Sequence, residues 1–290
     1  MKRRAFLAAS MALGASAWTA APRFTRGLLW RVTKRGVAPS HVYGTIHVID
    51  ARLAKLPAAV DKAFAGARSL MLEFLPDAYA SERFLEAAMF LDGQTLAQKI
   101  GAEDFERALE QLAPIGLERE FVNKLKPWAV LLNLRSTRQA KGSVLESRLF
   151  ELARERRLPL SQIEGVEEQI FTFDEFPMES QIALLKHSLA HRDELMELAE
   201  RTLEAYLARD LAAIWRLRQQ FSARHPQIAA HHAVMTKRVV LDRNVVMAFR
   251  MQRELRRGDA FVALGALHLY GESGVLALLE QDGYRAARVF

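Results

Sequence analysis

The apolar positions along the chain repeat with two different periods. From Leu28 to Lys34, Trp30 and Val32 alternate with Arg31 and Thr33, the period of two expected of a half-buried strand. A second strand-like run covers His41 to Val48, and Gly36 with Pro39-Ser40 between the two supplies hairpin chemistry. Pro57 stands where a helix can start; apolar residues keep to one face as far as Ala65, and Gly66 closes it. The run Ser69 to Leu75, stopped by Pro76, predicts a buried central strand carrying one carboxylate, Glu73, near its end.

From about residue 78 to 258 the period becomes helical. The pattern predicts helices over Ala80–Phe90, Glu103–Leu112, Pro127–Arg138, Val144–Arg156, Met178–Ala208, Leu211–Ala223 and Ala233–Arg256. Asp210 is placed to cap one of them, because its short carboxylate can accept first-turn amides. A brief strand, Leu160–Ile163, precedes Glu164-Gly165. Beyond Gly258 strands return at Phe261–Gly265 and Tyr284–Phe290, flanking a helix at Ser273–Gln281. The expected fold class is α/β (α+β): a central mixed sheet built from N- and C-terminal strands, with a large helical middle section.

Composition changes this picture in two places. The sequence has 290 residues, 41 Lys+Arg against 34 Asp+Glu, and a formal charge of +7. However, Lys2, Arg3 and Arg4 precede an uncharged stretch from Ala5 to Pro22 with a small-residue step at Ala15-Ser16-Ala17, which reads as an export signal over residues 1–17. Arg3-Arg4 before Phe6-Leu7 also resembles a twin-arginine signal; an ordinary secretory signal is the alternative. Without those three cations the charge is modest, so no nucleic-acid partner is expected. The mature chain, 18–290, is expected to be exported to the periplasm or beyond the cell, with no membrane span. There is no cysteine, which excludes thiol catalysis and thiolate-held metals.

The candidate chemistry lies in a repeated local design. Gly44-Thr45-Ile46-His47 follows one strand run and Gly265-Ala266-Leu267-His268 follows another, 221 residues later. In each, a glycine permits close backbone approach and a histidine falls at the strand's exit, where α/β sheets place their sites. Two such imidazoles can share one divalent ion with a carboxylate, and Glu73 is the obvious third group, as ligand or general base. A histidine at a strand end, taken alone, is more often a hydrogen-bonded structural residue; the matching pair together with Glu73 is what points to a ligand role. No Gly-x-Ser-x-Gly elbow and no His-Glu-x-x-His helix is present.

These residues, Val42-Tyr43-Gly44-Thr45-Ile46-His47, Leu72-Glu73 and Leu264-Gly265-Ala266-Leu267-His268-Leu269-Tyr270-Gly271 with Gly274 and Gly283-Tyr284, resemble the TraB/GumN family, which includes the animal Tiki proteins. The similarity runs on through Lys126-Pro127-Trp128, Ile163-Glu164 with Gln169, and Arg243-Asn244. The resemblance implies a metal-dependent hydrolase, since Tiki relatives are metalloproteases described as manganese- or cobalt-dependent. Carried over residue by residue, the essential groups are His47, His268 and Glu73.

On that reading the cofactor is a divalent ion, Mn, Co or Zn, and the substrate a peptide or small molecule. Glu73 or Glu164 takes a proton from water. Arg243 either steadies a developing oxyanion or only pairs buried carboxylates, and Asn244 either orients a ligand or only bonds backbone. Two other readings remain open: a non-catalytic protein that sequesters a peptide or ligand, and a hydrolase of non-peptide esters. Of the remaining histidines, His225, His231 and His232 are expected in a loop between helices. His187 and His191, four apart on a helix, have a spacing that can chelate a metal, but with no acidic pattern around them beyond Asp193 and Glu194 a solvated face is expected.

Overall fold

The computed structural model describes residues 22–134 and 143–290. The expected export signal at 1–17 and the last residues of the helix expected over Pro127–Arg138 lie outside them.

Six strands form one mixed sheet: β1 (Leu29–Thr33), β2 (Ser40–Thr45), β3 (Ser69–Leu72), β4 (Leu160–Gln162), β5 (Ala260–Gly265) and β6 (Arg285–Arg288), in the order β4-β3-β5-β2-β1-β6. β2, β5, β3 and β4 run parallel, whereas β1 is antiparallel to both β2 and β6. The C-terminal strand β5 therefore sits between two N-terminal strands, and the chain's two ends share one sheet, as the strand pattern implies. β5 is apolar almost throughout, Ala260-Phe261-Val262-Ala263-Leu264, and all five are buried, as a strand covered on both faces requires.

The helical middle section carries its own core. Leu96, Phe105, Leu112, Trp128, Leu185 and Phe221 belong to a second buried cluster, separate from the one around the sheet. Short helices at Leu96–Ile100, Arg119–Lys124 and Val166–Asp174 go beyond those predicted. The first has a capping box, Thr95 with Gln98.

Three expectations are corrected. The single helix predicted over Met178–Ala208 is two, Met178–Ala190 and Arg192–Leu207, broken at His191. There the His191 backbone N–H and ring Nδ1 both meet the His187 carbonyl, at 3.0 and 2.9 Å, and the His191 backbone leaves the helical region (φ −121, ψ 37). The expected loop around His225, His231 and His232 is largely a helix, Pro226–Thr236, with Pro226 at its first position, where a missing N–H costs nothing. That helix passes through one π-helical stretch, Lys237–Leu241, into Asp242–Leu255. The solvated face expected for His187 and His191 is also overturned: His187 is buried and His191 half-buried.

Candidate active site

Because β2, β5, β3 and β4 are parallel, they deliver His47, His268, Glu73 and Glu164 to the same sheet edge, beyond their carboxyl ends. This is where open α/β sheets bind ligands. Thr45 lies opposite Gly265, so the two Gly-x-x-His motifs sit side by side, one residue out of step. Their glycines are required by contact. A Cβ on Gly44 would stand 2.7 Å from Leu269 Cδ1 and 3.0 Å from Ala266 Cα; one on Gly265 would stand 3.2 Å from Glu73 Oε1 and 3.3 Å from His268 Cδ2. After Gly265 the chain winds into a tight turn, Ala266–Leu269, which buries His268.

Arg243 organises the buried carboxylates. Its Nη2 donates to Glu73 Oε2 and Glu164 Oε2, both at 2.6 Å, and its Nε to Glu164 at 3.0 and 3.2 Å. Nη1 donates to the Val239 carbonyl at 3.1 Å, inside the π-helical stretch. Four of the five guanidinium N–H groups are thus engaged. Glu164 also accepts from Gln169 Nε2 at 3.1 Å. The backbone ties the two acids together, since Glu164 N–H donates to the Glu73 carbonyl at 2.8 Å. The second oxygen of Glu73, Oε1, accepts the Gly265 amide and faces His268 Nε2 at 3.8 Å.

Asn244 fixes the other side of His268. Its Nδ2 donates to the Ser273 carbonyl at 2.7 Å, so its Oδ1 is the atom that meets His268 Nδ1, at 2.6 Å. An amide oxygen only accepts; the proton is therefore on Nδ1, and Nε2 keeps its lone pair toward Glu73. Burial lowers the His268 imidazole to about 4, with the Arg243 and His47 charges adding to it and Glu73 opposing. Burial alone would raise the Glu73 carboxyl; the His268, Arg243 and His47 charges and the Gly265 amide outweigh it and hold Glu73 at about 2.

His47 completes the group from the solvent side. Its side chain is 52% exposed, and Nε2 lies 3.4 Å from Oε1 of Glu146, which is buried. Thr45 Oγ1 donates to the same oxygen. Glu146, on the helix Leu145–Glu155, is a site residue that sequence reasoning missed. Its Oε2 is buried without a hydrogen-bond partner among the described residues. Tyr43 and Tyr206 close the floor beneath it. Their hydroxyls lie 3.2 Å apart, and that of Tyr206 donates to the Gly44 carbonyl at 2.9 Å.

The TraB/PrgY/gumN family matches residues 28–288 of this chain. The chain belongs to that family. Two curated relatives, both called uncharacterized protein YbaP, come from Shigella flexneri and Escherichia coli (strain K12). Each is 24% identical over 258 residues, covering 86% of this chain and 90% of the relative. No solved structure matches. The matched region of the TraB/PrgY/gumN member contains all six strands and every residue of the site just described.

The site of this family member suits a divalent cation on its donor set. Two buried carboxylates, Glu73 and Glu164, face one guanidinium, and a third, Glu146, is buried beside His47. His268 presents an imidazole lone pair, and Glu146 Oε2 is a buried acceptor without a donor among the described residues. Unpartnered buried acceptors beside a neutral imidazole are costly unless a cation satisfies them.

Proposed function

We propose that this chain is a metal-dependent hydrolase of peptide bonds, exported behind the signal at residues 1–17 and active as the mature chain 18–290. One observation carries the reading: the Asn244 bond leaves the His268 Nε2 lone pair pointing at Glu73 Oε1, 3.8 Å away. His268, Glu73 and His47 would hold the ion, which is Mn, Co or Zn by its imidazole and carboxylate donors. When bound, such an ion supplies Lewis acidity to the scissile carbonyl.

The chain's own residues divide the remaining work. Arg243, with Glu164 and Gln169 behind it, holds Glu73 Oε2 and leaves Oε1 facing His268. Glu164 is committed to that clamp, so the proton from an attacking water passes to Glu146, whose Oε2 is unengaged. With one N–H left, Arg243 is a positioning residue rather than an oxyanion hole. Half-exposed His47 marks the side from which substrate enters.

The test is digestion of a peptide library by the purified mature chain, with Mn2+ or chelator, beside a panel of simple esters. Peptide cleavage that stops with chelator and in Glu73→Gln is expected. Ester cleavage alone points to a different substrate class. Peptides retained intact point to a sequestering protein, and either result overturns the proposal.

A further inference from the structure

In the helical middle section, three histidines from different helical segments meet. The rings of His187 and His191 stack with centroids 4.0 Å apart, and His225 stands across them at 4.4 and 4.9 Å. One ring nitrogen from each lies within 4.8 Å of the others. Among the described residues no other trio of His, Asp or Glu offers donors so close together.

Each imidazole keeps a lone pair. His191 Nδ1 lies 2.9 Å from the His187 carbonyl, which only accepts, so that nitrogen carries the proton and Nε2 is bare. His225 Nε2 lies 2.9 Å from Glu194 Oε2, so it donates there and Nδ1 is bare. His187 is buried, and its Nε2 has no hydrogen-bond partner among the described residues. A buried imidazole nitrogen without a partner carries a desolvation cost that ligation would remove.

The positions in the chain are as informative as the rings. His191 is the break between Met178–Ala190 and Arg192–Leu207, and His225 the break between Leu211–Arg224 and Pro226–Thr236. Both leave helical backbone, at φ −121, ψ 37 and φ −122, ψ 67. Glu194, itself held by Arg224 at 2.7 Å, stands to His225 as a carboxylate stands to a metal-bound imidazole.

We propose that His187, His191 and His225 form a second metal site, taking a borderline divalent cation such as Zn2+ and pinning two elbows of the helical section. Three imidazoles with no thiolate or carboxylate touching the ion suit Zn2+ better than Mn2+. Drawing the nitrogens from 4.8 Å to ligand spacing needs small ring rotations about the two breaks. The site serves stability and owes nothing to the hydrolytic reading.

Zn2+ titration of the mature chain tests it, with bound metal counted per chain and melting temperature followed. His191→Gln, half-buried and on a helix break, is the mild variant; His225→Gln is the second. In the His268→Ala background, which removes a sheet-edge ligand, Zn2+ is expected to raise the melting temperature by several degrees, and to lose that effect when His191→Gln is added. Imidazole nitrogen NMR of the wild type should show three histidines shifting together at one equivalent, which keeps the test valid where a variant fails to fold. Zn2+ binding unchanged in both variants, or confined to His268, overturns the proposal. The second outcome would still leave the sheet-edge site standing.

Discussion

Asn244 and His268 are bonded Oδ1 to Nδ1 at 2.6 Å, and the Ser273 carbonyl dictates which way round the amide lies. That one relationship decides which nitrogen of His268 is free. Asn244→Ala should therefore lower Mn2+ affinity by about 10–100-fold, the usual effect of removing the partner that orients a ligating histidine. Calorimetric titration, with far-UV circular dichroism as the control for folding, reads it. Equal affinity in the variant would dissociate Asn244 from any ligand role.

Arg243 balances two buried carboxylates, so its loss should be felt in stability. Arg243→Met leaves Glu73 and Glu164 without their cation and should cost about 3–5 kcal/mol in urea unfolding. Adding Glu164→Gln should recover part of that loss, because one of the stranded charges is gone. A double variant no more stable than the single one would show that the triad is not coupled as the distances imply.

The two motif glycines should fail in different ways. At Gly44 an added methyl group meets backbone, Ala266 Cα at 3.0 Å, and should destabilise by about 1–3 kcal/mol. At Gly265 it meets Glu73 Oε1 and the His268 ring. Gly265→Ala should lose metal affinity at a smaller cost in stability. Urea midpoints and metal titrations on the same two proteins separate the effects.

Acid should destabilise the chelated protein in two overlapping steps. His268 is held at about 4 against 6.5, so the unfolded chain takes up its proton first as pH falls, and the folded state is disadvantaged progressively between about pH 6.5 and 4. Glu73 is held at about 2 against 4.5; its stabilisation is complete above pH 4.5 and is lost as pH falls toward 2. Both steps have the same sign. His268→Gln should flatten the upper one in a series of urea midpoints against pH, and an unchanged slope would contradict the burial of a neutral imidazole.

Glu146→Gln should separate proton transfer from binding. If Glu146 takes the proton, kcat falls about 10²–10⁴-fold while the metal content stays the same. Thr45 can still donate to the retained oxygen, so the fold should not suffer.

Much of this site was legible in the chain because its groups sit at strand exits. The alternation around Trp30 and Val32, the apolar run through β5 and the paired Gly-x-x-His motifs placed His47, His268 and Glu73 on one sheet edge. Glu146 was not legible: locally it is only an acidic residue in a helix's first turn, and its burial comes from a tertiary contact with Thr45, 101 residues away. The break at His191 was hidden for a related reason, since a side-chain and a backbone donor converge on one carbonyl without disturbing the apolar period. The third histidine of that cluster comes from another helix end, which no i, i+4 pattern reveals. The short helix Val166–Asp174 was missed for lack of a strong apolar stripe; only three of its residues are buried.

The central claim is that His268, Glu73 and His47 hold one catalytic ion. Mn2+ binding to the mature chain, measured beside peptide cleavage in the same samples, tests it most directly. The account predicts one Mn2+ per chain, with binding and cleavage lost together in His268→Ala and both retained in His225→Gln. Cleavage that survives in His268→Ala, or Mn2+ bound equally well without that imidazole, would contradict it.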